Sequence, residues 1–147
     1  MDKILFQQIY EDSFKKIGFR CYKKSYFYYS NEEIIIVIYK QKSNFSNSYY
    51  INLGFWAKKI HEDVKNPKIQ ECDLINRFSC KCQGIERGYF PLEILEETEL
   101  RDSFEENITS SIIPVLNEGI KKYFEIYPKA VCAARPKLRD YLGLKEG

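Results

Sequence analysis

The sequence predicts an α+β fold: an antiparallel sheet of about five strands packed against an N-terminal helix and a long, kinked C-terminal helix. Three features lead there. Apolar residues recur at helical spacing only near the two ends, over residues 3–17 and 100–124. Between these ends lie short apolar or alternating runs bounded by turn residues. The connections in the first half are only a few residues long, which hairpins permit and parallel crossovers do not.

The first helix places Phe6, Ile9, Tyr10, Phe14 and Ile17 on one stripe, with Leu5 beside them. Asp2 is a capping residue at its start, and Gly18 suits a left-handed C-terminal position. Its polar face mixes Glu11 and Asp12 with Lys15 and Lys16, so the stripe is expected to meet a sheet rather than a membrane surface. Strands are expected at Phe19–Tyr22 and Tyr26–Ser30, separated by Lys23-Lys24, then at Glu33–Ser43 and Tyr49–Ala57. The run Ile34–Ile38 is apolar on both faces, as a central strand covered on both sides would be. Residues 58–69 form a polar connector.

Residues 71–82 alternate as one half-buried strand. Cys72, Leu74, Asn76, Phe78, Cys80 and Cys82 share its inner face, and Asp73 and Arg77 share the polar one. Gly84 to Gly88 reads as a turn, and Tyr89–Leu95 as a further edge strand. A stripe from Leu100 to Phe124 marks the long helix, which Pro114 kinks or breaks and Pro128 ends. Residues 1–128 are thus expected to form a single α+β domain. Residues 129–147 form a tail with one short helix, about Lys137–Leu142, closed by Gly143.

Composition excludes several classes. Of 147 residues, 16% are aromatic, including 12 Tyr and 10 Phe, which no disordered or low-complexity chain matches. The longest apolar run, Ile34 to Tyr39, is far short of the roughly 20 residues of a membrane span. No leader-like apolar stretch opens the chain, and five cysteines is an odd number. Both point to reduced thiols in the cytoplasm. The net charge of +2 is unevenly spread. Residues 1–59 carry ten basic and five acidic groups, and residues 60–107 carry six and twelve. Seven carboxylates fall between Glu93 and Glu106. They read either as a surface steering a basic partner or as a solvated helix start.

Several segments together resemble the bacterial domain-of-unknown-function family 4304. They are Lys16-Ile17-Gly18-Phe19, Tyr26-Phe27-Tyr28, Ile34–Ile38 running into Gln41-Lys42-Ser43, and Tyr50-Ile51-Asn52-Leu53-Gly54. Glu71-Cys72-Asp73 with Arg77, and Ile113-Pro114-Val115-Leu116, complete the set. The resemblance spans roughly residues 3–126 and implies a helix, an antiparallel sheet and C-terminal helices. It implies no established activity. Cys80-Lys81-Cys82 and the tail after Pro128 fall outside it.

No catalytic constellation is legible, and the chain is not expected to be an enzyme. The single histidine, His61, lies in the polar connector and reads as a surface residue. No serine sits in a Gly-x-Ser-x-Gly elbow. Cys72, Cys80 and Cys82 lack the Cys-x₂₋₄-Cys spacing of zinc sites and read as small buried hydrophobes, so neither metal nor cofactor is implied. Two candidate sites remain. Gln41, Lys42 and Ser43 end the central strand. With Arg77 from a neighbouring strand they either converge on a ligand or satisfy the hairpin. Lys23, Lys24, Tyr26, Tyr28 and Lys40 combine cations with stacking rings, as a single-stranded nucleic-acid platform does.

The expected function is therefore that of a small cytoplasmic, non-catalytic protein-binding domain, with neutralisation of a partner such as a toxin as its sharpest version. The alternative is a nucleic-acid-binding module using the Lys/Tyr surface. An exposed aromatic sheet face also offers a route to self-association.

Overall fold

The computed structural model describes residues 1–145. Helix α1 (Lys3–Lys15) starts at Asp2, whose carboxylate accepts the Leu5 N–H at 2.7 Å, and buries Phe6, Ile9, Tyr10 and Phe14. Strands β1 (Arg20–Tyr22), β2 (Tyr26–Ser30), β3 (Ile34–Lys42), β4 (Ser48–Ala57) and β5 (Leu74–Arg77) follow. They pair antiparallel in chain order. The two-residue β8 (Phe90–Pro91) also pairs with β4, opposite Ser48 and Tyr49, and makes the sheet six-stranded. The long β3 and β4 register Ile34 opposite Ala57 and Lys42 opposite Tyr49. Lys23 and Lys24 both take positive φ in the loop between β1 and β2.

The sheet sits between two apolar clusters of unequal size. On one face, Phe27, Ile36, Ile38, Ile51, Leu53 and Phe55 meet the helices in the main core. On the other, Tyr28, Ile35, Val37 and Trp56 are covered by Ile69 and Cys72 of the connector. Period-two alternation along β2, β3 and β4 sends neighbouring residues to opposite clusters. This is why the apolar run of β3 is buried on both faces.

Five expectations are corrected in the second half. Residues 71–82 are not one strand. After β5 the chain turns at Phe78-Ser79, and β6 (Cys80–Cys82) pairs only with β7 (Ile85–Arg87). The turn between them is Gln83-Gly84, with φ of 53° and 72°, the left-handed pair that a two-residue hairpin requires. Ile85–Arg87, read as turn, is strand. Cys72 does not share a face with Leu74: it packs beside Tyr28 and Val37, and Leu74 joins the main core. The edge strand expected at Tyr89–Leu95 is only the two residues of β8. Asp73, expected on the polar face, is 1% exposed.

The long C-terminal helix is segmented. Helix α2 (Glu97–Asn107) runs into one wide π turn over Ile108–Ile112, where the Ile113 N–H reaches back five residues to the Ile108 carbonyl. The widened turn carries the helix past Pro114, which has no N–H to offer and would collide with the carbonyl four residues back. Helix α3 (Ile113–Glu118) then continues. The break comes at Gly119, whose φ of 89° suits glycine and whose α-carbon faces the Glu33 carboxylate. Helix α4 (Lys121–Ile126) and the short α5 (Pro136–Leu142) follow. Val131, Ala134 and Leu138 from this end of the chain lie in the main core.

Gly54 on β4 is where the connector comes closest to the sheet. A Cβ there would stand 2.6 Å from the Cys72 Sγ and 2.8 Å from the Ile69 Cδ1. Gly54→Ala is expected to cost about 1–3 kcal/mol through overpacking. The drop in urea midpoint should be partly restored by Cys72→Ala in the same chain. A midpoint equal to that of the unaltered protein would show that the connector yields freely.

Candidate functional site

The sheet face turned away from the helices is half covered. The connector is tied down over one half by hydrogen bonds to aromatic and basic side chains. The buried Tyr28 hydroxyl donates to the Pro67 carbonyl at 2.9 Å, and the Tyr26 hydroxyl accepts the Ile69 N–H at 3.1 Å. Arg20 donates to the Lys65 carbonyl at 3.0 Å and stacks over the Tyr28 ring. Burial raises the phenol pKa values of Tyr26 and Tyr28, so both stay neutral donors or acceptors.

The other half, toward the tip of the β3–β4 hairpin, is bare. Here alternation and register bring three side chains together across three strands. Gln41 on β3 lies opposite Tyr50, and Asn52 on β4 lies opposite both Tyr39 and Arg77. The buried Asn52 is the hub. Its Nδ2 donates to the Gln41 Oε1 at 3.1 Å, and its Oδ1 accepts from the Arg77 Nε at 3.2 Å. The Arg77 guanidinium lies flat enough over Tyr50 to bring its carbon 4.0 Å from the ring centroid. Among the described residues it belongs to no ion pair. Tyr39 extends the surface sideways by stacking on Tyr26 at 4.6 Å, and Tyr26 stacks on Tyr28 at 5.5 Å. On its outer side Arg77 borders a groove of about 420 Å³ shared with Asn76, Lys81 and Tyr127.

The candidate ligand residues therefore divide. Gln41 and Arg77 are joined through Asn52, a residue not singled out in the sequence. Lys42 and Ser43 belong to the hairpin tip. The Lys42 Nζ donates to the Ser46 carbonyl at 2.8 Å, and the Ser43 Oγ accepts the Phe45 N–H at 3.1 Å.

The candidate nucleic-acid residues divide as well. Tyr26 and Tyr28 face the connector, Tyr28 only 2% exposed. Lys23 lies over the Tyr22 ring in the β1–β2 loop, and the Lys24 carbonyl accepts from Gln7. Lys40 points to the helix face, where it contacts Gln7 and sits 4.7 Å from the Tyr49 ring centroid. Burial there lowers its pKa.

His61 is not a surface residue. Its Nε2 lies 2.7 Å from the Asp73 Oδ1, its ring stacks on Trp56 at 3.9 Å, and its side chain is 18% exposed. The other carboxylate oxygen of Asp73 accepts the Ala57 N–H at 2.8 Å, and the Asp73 carbonyl accepts the Arg135 N–H at 2.8 Å. Through its carboxylate Asp73 fastens the start of the connector and the end of β4, and through its backbone carbonyl the C-terminal segment, to one point. The one available sequence signal was an aspartate flanked by Cys72 and Leu74, each assigned to a core.

Cys72, Cys80 and Cys82 are buried and unpaired. Burial pushes the thiols of Cys72 and Cys80 up to about 12, so they remain protonated at neutral pH. Among the described residues no three His, Cys, Asp or Glu side chains converge as a metal ion would require. No helix among the described residues is long and apolar enough to cross a membrane.

A family model described as "Domain of unknown function (DUF4304)" matches residues 11–118, from within α1 to the end of α3. No curated protein and no solved structure matches the chain.

Proposed function

The chain belongs to the DUF4304 family of domains of unknown function, and from that premise we propose that it is a non-catalytic protein-binding domain whose bare sheet face receives a partner. One observation carries the reading: Arg77 is held over Tyr50 and on Asn52, and among the described residues the rest of its guanidinium has no partner. Arginine and tyrosine dominate the energetics of protein interfaces. A side chain already fixed in place loses less conformational entropy on binding. The groups on this face are amide, phenol and guanidinium. Such groups bind by hydrogen bonding and stacking, which suits the face to recognition.

The sharpest form of the reading is neutralisation of a toxin-like protein made in the same bacterial cell. Five cysteines, none of them paired, suit a reducing cytoplasm.

The test is a tagged pull-down from lysate of the native host, half of it nuclease-treated. A protein partner should survive nuclease. Arg77→Ala should weaken it by about 2 kcal/mol, near thirtyfold in Kd, with no change in the circular dichroism melt. Retention abolished by nuclease would replace this reading with the nucleic-acid one, as would binding that weakens steeply with salt.

A further inference from the structure

We propose that the pocket between α1 and the β1–β2 loop, on the helix side of the sheet, binds the phosphate group of a small phosphate ester through Lys3, Lys24 and Lys40. The site is separate from the bare sheet face and shares no residue with it.

Lys40 is a half-buried cation without a counter-ion. Its Nζ donates to the neutral Gln7 Oε1 and lies over the Tyr49 and Tyr10 rings, 4.7 and 6.0 Å from their centroids. A cation withdrawn from water is ordinarily matched by a carboxylate. Among the described residues no ion pair includes Lys40, Lys24 or Lys3. Burial lowers the Lys40 pKa, and the charges of Lys24 and Lys3 act in the same direction, against Glu11 alone. That carboxylate is already engaged: it lies 3.1 Å from the Lys15 Nζ and accepts from the Gln7 amide at 3.1 Å.

The three lysines come from separate parts of the chain, the first turn of α1, the β1–β2 loop and β3, yet they line one pocket of about 410 Å³ with Gln7, Glu11 and Tyr49. Gln7 ties its walls together. Its amide donates to the Lys24 carbonyl at 2.9 Å while its oxygen accepts from Lys40. Lys24 has a φ of 61°, a conformation that glycine and asparagine adopt more readily. The loop thus holds a lysine against its backbone preference, as strained residues at ligand clamps do. Three compact ammonium charges from three directions suit a tetrahedral phosphate. A planar carboxylate is better matched by a guanidinium fork, and no arginine is among the lining residues. The volume is that of a small-molecule site. A nucleic-acid strand fits less well, because Tyr26 and Tyr28, the rings it would stack on, lie on the other face of the sheet under the connector.

The test titrates the full-length protein, at constant ionic strength, with inorganic pyrophosphate and with glycerol 3-phosphate, followed by amide NMR. Both probes should saturate, move the signals of Lys3, Gln7, Lys24 and Lys40, and raise the melting temperature by linkage. Lys40→Met should weaken binding at least about tenfold. Its melting temperature without ligand should be unchanged or higher, because an unmatched cation has been removed. Lys3→Gln, an exposed change that leaves the packing alone, should weaken binding about threefold or more. Lys59→Met, at the far end of β4, should leave the affinity within about twofold. Failure of both probes to saturate by about 10 mM overturns the site, as does an equal loss in Lys59→Met, which would mark diffuse surface charge. Saturation by phosphatidylglycerol vesicles alone overturns the small ester in favour of a lipid headgroup. A uridine oligonucleotide binding at least about tenfold more tightly than either probe, with a steep salt dependence, overturns it in favour of nucleic acid.

Discussion

Phe104→Ala is expected to lower the free energy of unfolding by about 3–5 kcal/mol, the range for deleting a buried aromatic ring. Phe104, on α2, is fully buried and has ring contacts with Phe6, Tyr10, Phe14, Phe78 and Phe90 at centroid distances of 5.3–6.3 Å. These rings come from α1, from the turn after β5 and from β8. The substitution therefore opens a void where three parts of the chain converge, and no single element can move in to fill it. A domain of ordinary stability, about 5–15 kcal/mol, would lose a large share of its margin. Urea unfolding should show a midpoint more than about 1 M lower with an unchanged slope. A shift below about 0.3 M would mean that the surrounding rings collapse into the space. Phe104→Leu, which keeps most of the volume, should lose less than half as much.

Asp73→Ala is expected to cost a comparable amount, about 3–4 kcal/mol, for a different reason. The change removes both acceptors at once. It strands the Ala57 N–H away from water and releases His61 from its anchor. An unsatisfied buried donor costs about 1–3 kcal/mol, and loss of a charge-assisted bond adds about 1.5–3. Asp73→Asn preserves the shape and one carbonyl oxygen for Ala57, so it should lose only about half as much. If the two variants unfolded at the same urea concentration, the carboxylate's charge rather than its geometry would be the stabilising element. Neither variant should alter the bare sheet face, which lies at the other end of β4, so partner binding at a temperature where both are folded should be unchanged.

The strands β2, β3 and β4 were legible almost to the residue because their signals are local. Tyr26–Ser30 is bounded by a lysine-rich loop and a turn, and Ile34–Ile38 announces burial on both faces. Helix α1 was legible from its stripe and its Asp2 cap. The failures lie where the chain changes direction without changing pattern. Alternation over 71–82 continues through the bend at Phe78-Ser79, since residues on both sides of the bend point into the same core. It also hides the slip at Asp73 that puts Cys72 and Leu74 on opposite faces. Pro114 correctly signalled an irregular helix, but the wide turn that absorbs it has no mark in composition. The site was half legible. Gln41 and Arg77 stood out as polar residues on strands, but the residue joining them, Asn52, is an ordinary amide in an apolar strand. Its role appears only once β3, β4 and β5 are in register. His61 and Asp73 stand twelve positions apart, and only the return of the connector over the sheet brings them into contact.

The order of the strands in the sheet, which follows their order along the chain, has a kinetic consequence. Every pairing from β1 to β5 closes a short loop or one connector, so little chain entropy opposes the ribbon. The main core is different: Phe6 and Phe104 touch across almost the whole intervening sequence. Non-local contacts of this kind slow the search for the native state. The ribbon that carries the bare face thus asks little of the rest of the chain for its assembly, and the late, topologically expensive step is the closing of α2 over α1.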